Sequence, residues 1–297
     1  MQETKTRDDW RKEIYADTIR LCKASEYYTL AIPRSPSVKY SFVNPAAIKM
    51  LGDCVQHEKC SIIPIAKELF VGVFPKKIVA STTIAVYNAD TLDAANILIG
   101  IKAKVAVLNM ANNIYPGGGV ESGHPAQEEN IFRRSNLHLH LNRKLYPISM
   151  KADKLQMIYS RRVLIFRDNE EKGYTTCKPY YVDVMTTPGL YHPITTDDGE
   201  LTPEDATILE NKVRMSLLVA ASEKCDAVVL GALGCGMWGS PPGPVSRVFQ
   251  KVLSEFDGVF SIIVFAILVI GDRAENYEAF RKTFEKSLSS CSEIKQH

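Results

Sequence analysis

The chain has 297 residues, 45% hydrophobic and 24% charged, with a formal net charge of +2. That length holds one large domain or two small ones, the composition is that of a soluble globular protein, and so balanced a charge argues against a dedicated nucleic-acid surface, which needs clustered excess Lys and Arg. The seven cysteines form no C-x-x-C pair, which fits a reducing compartment, and the charged stretch Met1–Glu13 lacks the apolar core of a secretory signal, so the expected location is cytoplasmic or nuclear.

Helical spacing opens at Asp8–Ala24, where Trp10, Ile14, Thr18 and Leu21 fall on one face. Through residues 25–80, Pro33, Pro36, Pro45, Pro64 and Pro75 break any long element. Residues 1–80 are therefore expected to form an N-terminal accessory segment packed on a core made by residues 81–297. Cys54, His57 and Cys60 make a C-x2-H-x2-C cluster. A structural zinc normally takes four ligands and no fourth lies nearby, so incidental ligands on a surface loop are the competing reading and no metal is assigned.

From Ser81 onward strand and helix patterns alternate. The expected order is strand 82–87, helix 90–99, strand 105–109, a glycine loop, and helix 126–142. Strands 163–166 and 180–186 follow with no helix between them, which points to local antiparallel pairing. Helix 203–223, strand 227–232, helix 243–256, strand 262–269 and helix 274–288 complete the chain. Such alternation implies an α/β fold with a mixed sheet covered by helices on both faces. The longest apolar run, Val259–Ile270, is too short for a membrane span and reads as a buried central strand.

The chemistry concentrates after the strand at 105–109. Gly117-Gly118-Gly119 is followed, seven residues later, by Gln127-Glu128-Glu129. Glycines lack Cβ, so the backbone can take positive φ and approach a ligand with exposed N–H groups. Pro125 suits the first position of a following helix, which puts the carboxylates in its first turn. Acidic residues there also complement the helix dipole and need no catalytic role. A second loop, Gly231–Gly239, follows the strand at 227–232 and precedes a helix, so its amides could cradle a diphosphate. Gly234 to Gly239 also satisfies GxGxxG, the dinucleotide fingerprint. Pro241, Pro242 and Pro244 crowd the helix start, however, and no acidic residue ends the next strand to bind a ribose.

The GGG-x7-QEE spacing resembles the signature of poly(ADP-ribose) glycohydrolases, and its surroundings resemble the microbial-type branch of that family. The likeness includes Asn88–Ala95, Met157–Asp168, Tyr181–Pro188, Val228–Val245 and Ile263–Ile267; the first 80 residues match loosely. It implies a three-layer macrodomain core with an N-terminal helical or irregular extension. It also implies an exo-acting, metal-independent glycosidase that needs no cofactor. Poly(ADP-ribose) or ADP-ribosylated protein would be its partner and ADP-ribose its product, with no membrane and no direct DNA binding.

By the same resemblance Glu129 is general acid and then general base, and Glu128 holds a ribose hydroxyl. The substrate would be bound by Asn112, Gly117, Gly118, Gly119, Val120 and Gln127 from the first loop, and by Gly234, Cys235, Gly236, Met237 and Trp238 from the second. Phe265 is a candidate for stacking on adenine, although an aromatic in so apolar a run also suits the core. Glu121 and His124 are extra polar groups in the first loop with no assigned position. A general acid needs a raised pKa whereas a helix N-terminus lowers it, so the assignment requires something to oppose the dipole. The alternatives are a reader domain that binds ADP-ribose without cleaving it, a hydrolase of mono-ADP-ribosyl substrates, and an NAD-dependent oxidoreductase using Gly234–Gly239.

Overall fold

The computed structural model describes residues 6–23, 38–41 and 77–292. Cys54, His57 and Cys60, with most of the proline-broken segment, lie outside the described residues. Among the described residues a single sheet runs in the order β1-β4-β5-β3-β6-β7-β2. Its strands are β1 (Val38–Ser41), β2 (Thr83–Tyr87), β3 (Val105–Met110), β4 (Gln156–Arg167), β5 (Thr176–Thr187), β6 (Ala227–Leu230) and β7 (Ile262–Ala266). Strands β5, β3, β6, β7 and β2 pair in parallel, while β4 is antiparallel to both β5 and β1. The expected antiparallel region is thus present, and both of its strands are longer than the apolar pattern alone suggests.

Strand alternation splits the core into two layers. Ala106 and Leu108 of β3 join one cluster with Leu217, Phe249 and Phe280. These come from α5 (Pro203–Ser222), α6 (Pro242–Ser254) and α7 (Glu275–Ser292). Val105 and Val107 face the other cluster, with Leu92, Ile131 and Phe132. Those side chains belong to α2 (Thr91–Gly100) and α3 (Gln127–Arg134).

Three differences from the sequence expectation have physical causes. The first helix, α1 (Arg7–Lys23), buries Arg11, Tyr15, Thr18, Leu21 and Cys22, leaving Trp10 and Ile14 half-buried. Arg11 can face inward because Glu170 takes its guanidinium at 2.7 and 3.0 Å. The single helix expected over 126–142 is two, α3 and α4 (Leu137–His140). Ser135 bridges to Ile165, Asn136 N–H donates to Leu164 O at 3.1 Å, and Leu164 N–H donates back to Asn136 Oδ1 at 2.9 Å, so β4 captures the chain and ends the helix. The apolar run at 259–270 supplies an internal strand only to Ala266; Leu268 and Ile270 beyond it are exposed.

Candidate active site

Two loops stand at the C-terminal ends of the neighbouring parallel strands β3 and β6, where open α/β sheets place ligands. The first doubles back on the start of α3. Ala126 is the N-cap of that helix and Gln127 its first residue, so Pro125 lies just outside rather than at the first helical position. Gln127 ties helix to strand: its Oε1 accepts from Met110 N–H at 2.9 Å and its Nε2 donates to Leu108 O at 2.6 Å. These are backbone groups at the end of β3. Arg134, fully buried, anchors the far end of α3 to Asp90 and, at 2.6 Å, to Asp93. Asp90 is also the N-cap of α2, so the Asn88–Ala95 stretch has a bracing role.

The glycine triplet folds around the two carboxylates. Glu128 accepts from Asn112 N–H at 2.7 Å and Gly117 N–H at 3.1 Å, with Asn109 Nδ2 at 3.4 Å. Glu129 Oε1 accepts from Gly119 N–H at 2.8 Å. The remaining loop amides close turns, Gly118 N–H on Tyr115 O and Val120 N–H on Gly117 O. The expectation of free amides awaiting a ligand here is therefore corrected, because the protein's own carboxylates and turns consume them. The need for glycine is steric. At Gly118, φ is +53° and a Cβ would stand 2.6 Å from Glu129 Oε1; at Gly119 a Cβ would stand 2.2 Å from the His124 ring.

Glu128 is 3% exposed and Glu129 7%. Burial pushes the Glu128 carboxyl up to about 8, the charge of Glu129 adds to this, and the hydrogen bonds from Asn112, Gly117 and Asn109 only partly oppose it. A helix N-terminus stabilises an anion by about 0.3–1 kcal/mol, whereas each pKa unit corresponds to about 1.36 kcal/mol. Burial therefore outweighs the dipole at Glu128, whose carboxyl holds its proton more tightly than an exposed glutamate does.

Asn109, the one polar side chain at a fully buried position of β3, was not singled out from the sequence as a site residue. Alternation turns it toward α3 and Glu128, and its Oδ1 has no partner among the described residues. The Tyr146 hydroxyl, which feels the Glu128 charge, is likewise buried and unpartnered. A lone Asn in an otherwise apolar strand was the available signal.

The second loop is built differently. Gly234 (φ +81°) packs against Gly189, and Ser240 Oγ donates to Leu190 O at 3.1 Å. His192 N–H donates to Trp238 O at 2.7 Å, so the loop is stitched to the segment after β5. The amides of Gly236, Met237 and Trp238 make no hydrogen bond within the described residues, and Met237 is 87% exposed. A run of open amides before a helix N-terminus is an anion-binding arrangement. Pro241 caps α6 and Pro242 opens it, so the prolines initiate this helix instead of blocking it. Burial pushes the Cys235 thiol up to about 12, which removes it as a nucleophile.

Two expected ligand contacts are displaced. Phe265 is 0% exposed, because alternation along β7 turns it to the α6–α7 layer, stacked on Phe284 at 4.8 Å and edge-on to Phe249 at 5.3 Å. It has no face for adenine. Val120 is 2% exposed and packs in the second core cluster. Asn112 does sit at the site, but its Oδ1 closes a turn by accepting from Ile114 and Tyr115 N–H at 2.7 and 3.0 Å. Glu121 and His124 are both exposed. No group of three potential metal ligands occurs among the described residues, and no helix there is long and apolar enough to cross a membrane.

Residues 66–168 match the family model for the microbial-type PARG catalytic domain. A protein of undescribed function from Sulfolobus acidocaldarius is 34% identical over 80 residues, 27% of this chain and 42% of that one, so the match spans less than half of that relative. Poly(ADP-ribose) glycohydrolase from Thermomonospora curvata bound to the inhibitor ADP-HPD superposes with a TM-score of 0.70 at 26% identity, covering 92% of this chain and 99% of that one. The Deinococcus radiodurans poly(ADP-ribose) glycohydrolase in complex with ADP-ribose gives 0.64 at 27% identity, over 85% and 96%. Loop signature, family model and fold agree in what this chain is similar to, the catalytic domain of the microbial-type poly(ADP-ribose) glycohydrolases.

Proposed function

We propose that the chain hydrolyses the ribose–ribose O-glycosidic bonds of poly(ADP-ribose), acting from chain ends without a metal ion and releasing ADP-ribose. The observation that carries this reading is the pairing of two loops of opposite character. One locks two buried carboxylates against a helix N-terminus, and its neighbour presents open amides to a diphosphate. Glycoside cleavage needs a proton on the leaving oxygen, stabilisation of an oxocarbenium-like sugar, and a base to activate water. Glu129 is assigned as the acid that protonates the leaving oxygen and then, as carboxylate, takes a proton from the attacking water. Glu128 holds a ribose hydroxyl and keeps the scissile bond in register.

The strong burial of Glu128 favours a second assignment, in which it is the proton holder and Glu129 the partner carboxylate. Comparison of Glu128→Gln with Glu129→Gln decides. Release of free ADP-ribose from poly(ADP-ribosyl)ated protein is measured for each variant, with ADP-ribose affinity followed by calorimetry. Loss of release with binding retained marks the acid. Wild-type binding without release would make the chain a reader, and release only from singly modified protein would make it a mono-ADP-ribosyl hydrolase. Undiminished activity in a strong chelator is expected; loss restored by added metal would overturn the metal-free route. The division at residue 80 belongs to the same proposal, and a chain beginning there should lose stability, because α1 braces the first loop.

A further inference from the structure

Helix α3 ends on two arginines, and both are buried. Arg134 is neutralised directly by Asp90 and Asp93. Arg133 is 0% exposed, yet no ion pair joins it to a carboxylate among the described residues. Its Nε donates to Arg11 O at 3.3 Å and its Nη2 to His124 O at 2.5 Å, while Nη1 has no hydrogen-bond partner. A cation taken out of water without a counter-ion is costly, so negative charge must reach it from further off.

The helix itself carries the candidate. Glu129 stands four residues back on the same face, with the carboxyl N-terminal to the cation, and helical side chains lean toward the N-terminus. The other charged groups around Arg133 are engaged elsewhere or exposed. On α1 the Arg11 guanidinium is held by Asp8 and Glu170. Between β4 and β5, Glu170 also takes Arg7 at 2.7 Å and the Tyr174 hydroxyl at 3.1 Å. Glu121 and His124 of the first loop face solvent. Burial pushes the Tyr15 and Tyr174 hydroxyls up to about 12, so both are neutral at physiological pH. Burial also pulls the Arg133 guanidinium below its ordinary range; of the two groups that oppose this, Tyr174 and Glu129, only Glu129 is a carboxyl.

We propose that Arg133 is a positioning residue for the proton transfer, stabilising the carboxylate that Glu129 becomes and fixing the loop that holds it; the proposal rests on the glycohydrolase reading above, with Glu129 as the acid. As the Glu129 proton passes to the leaving ribose oxygen, the glycosidic C–O bond breaks with its electron pair on that oxygen. Negative charge is left on Glu129. A fixed cation one turn away favours that state without rearranging, which is the condition for electrostatic stabilisation of a transition state. Water then attacks the sugar and returns a proton to Glu129. The contact to His124 O serves the same end. Ser122 and His124 N–H donate to Gly119 O at 2.9 and 3.2 Å, and Gly119 N–H holds Glu129 Oε1. Through Arg11 O and Arg133, α1 thus reaches the catalytic carboxyl.

The test uses the full chain with poly(ADP-ribosyl)ated protein as substrate. Arg133→Met, which removes the charge, is expected to lower kcat about a hundredfold, the low end of the loss when one preorganised electrostatic contact is removed. Calorimetric affinity for ADP-ribose should be kept. The kcat–pH profile should move to higher pH, because Glu129 then gives up its proton less readily. Arg133→Lys, which keeps the charge, should return both rate and profile toward wild type. A merely structural role would slow the reaction at every pH alike. An unmoved profile, or a lysine variant as slow as the methionine one, overturns the proposal; Arg133→Gln replaces Arg133→Met if that variant fails to fold. Denaturant melts at alkaline pH of Glu129→Gln, Arg133→Met and the double variant give a readout free of turnover. The double variant should lose less stability than the two single losses together, and additive losses overturn the charge coupling. Hydrolysis by the wild type with additive losses and an unmoved profile sinks the role of Arg133 alone; coupling without any hydrolysis sinks the glycohydrolase reading alone.

Discussion

The two glycine loops occupy equivalent places at the ends of adjacent parallel strands, yet they use glycine for opposite purposes. In the loop at Gly117–Gly119 every glycine amide is committed, to Glu128, to Glu129 or to a turn. The bare backbone lets the chain close onto its own carboxylates. Helix α1 braces this loop from outside: at Gly123 (φ +84°) a Cβ would stand 2.4 Å from Asp8 O, and Thr18 Oγ donates to Arg133 O at 2.6 Å. In the loop at Gly234–Gly239 the middle amides are uncommitted, and a Cβ at Gly236 would meet nothing within 4 Å. Groups that transfer protons must be held in place before substrate arrives, whereas a loop that wraps a flexible diphosphate gains from open donors. Rigidity and openness are thus divided between neighbouring strand ends.

The largest effects should come from breaking the closed loop. Glu129→Gln is expected to lower turnover by about a thousandfold, within the usual range for loss of a general acid or base, with ADP-ribose affinity nearly kept. Gly118→Ala should come close to this without touching a carboxylate, since its Cβ would displace Glu129 Oε1 and its backbone would be strained at φ +53°. Steady-state turnover of both variants checks the point. Near-wild-type activity in Gly118→Ala would mean that the loop is softer than its packing indicates.

The next effect is on stability. The Glu128 carboxyl is raised to about 8 in the folded protein from an ordinary 4.5. The folded state therefore binds more protons than the unfolded state between those values. The stabilisation is fully present below about 4.5 and is lost as pH rises through about 8. Glu128→Gln, which removes the titration, should flatten this dependence and gain roughly 2–4 kcal/mol on the wild type at alkaline pH. Denaturant melts at several pH values read the difference. If Glu128 supplies the catalytic proton, turnover should also fall as pH rises past about 8, because the acid must then be protonated to act.

How much of this was legible in the sequence follows from the range over which each feature is determined. The GGG-x7-QEE loop, the mixed sheet and the antiparallel pair follow from local spacing and alternation. The break after Arg134 was not legible, because the partners that impose it, Leu164 and Ile165, lie some thirty residues on and offer a strand edge that competes with the helix. Phe265 misled because its position in the chain suits a ligand contact, while strand parity, fixed only once β7 is in register, turns it to the core. Asn109 was readable in principle by the same parity.

The open loop should yield smaller effects. Gly234→Ala meets Ser240 Oγ at 2.7 Å and a backbone at φ +81°, so it should distort the cradle and weaken ADP-ribose binding by about tenfold, turnover at saturation changing little. Gly236→Ala is the sharper test because it should do almost nothing. Its Cβ would enter open space, its φ is not positive, and its amide is retained for the ligand. Affinity and turnover are expected to stay within about twofold of wild type, in line with substitutions that create no strain and bury nothing. A loss beyond tenfold in affinity alone would mean that the ligand's diphosphate presses directly on Gly236 Cα, so that the loop closes in the complex. A loss in turnover alone would mean that the open loop also helps place the carboxylates, and the division of labour between the two strand ends would fall.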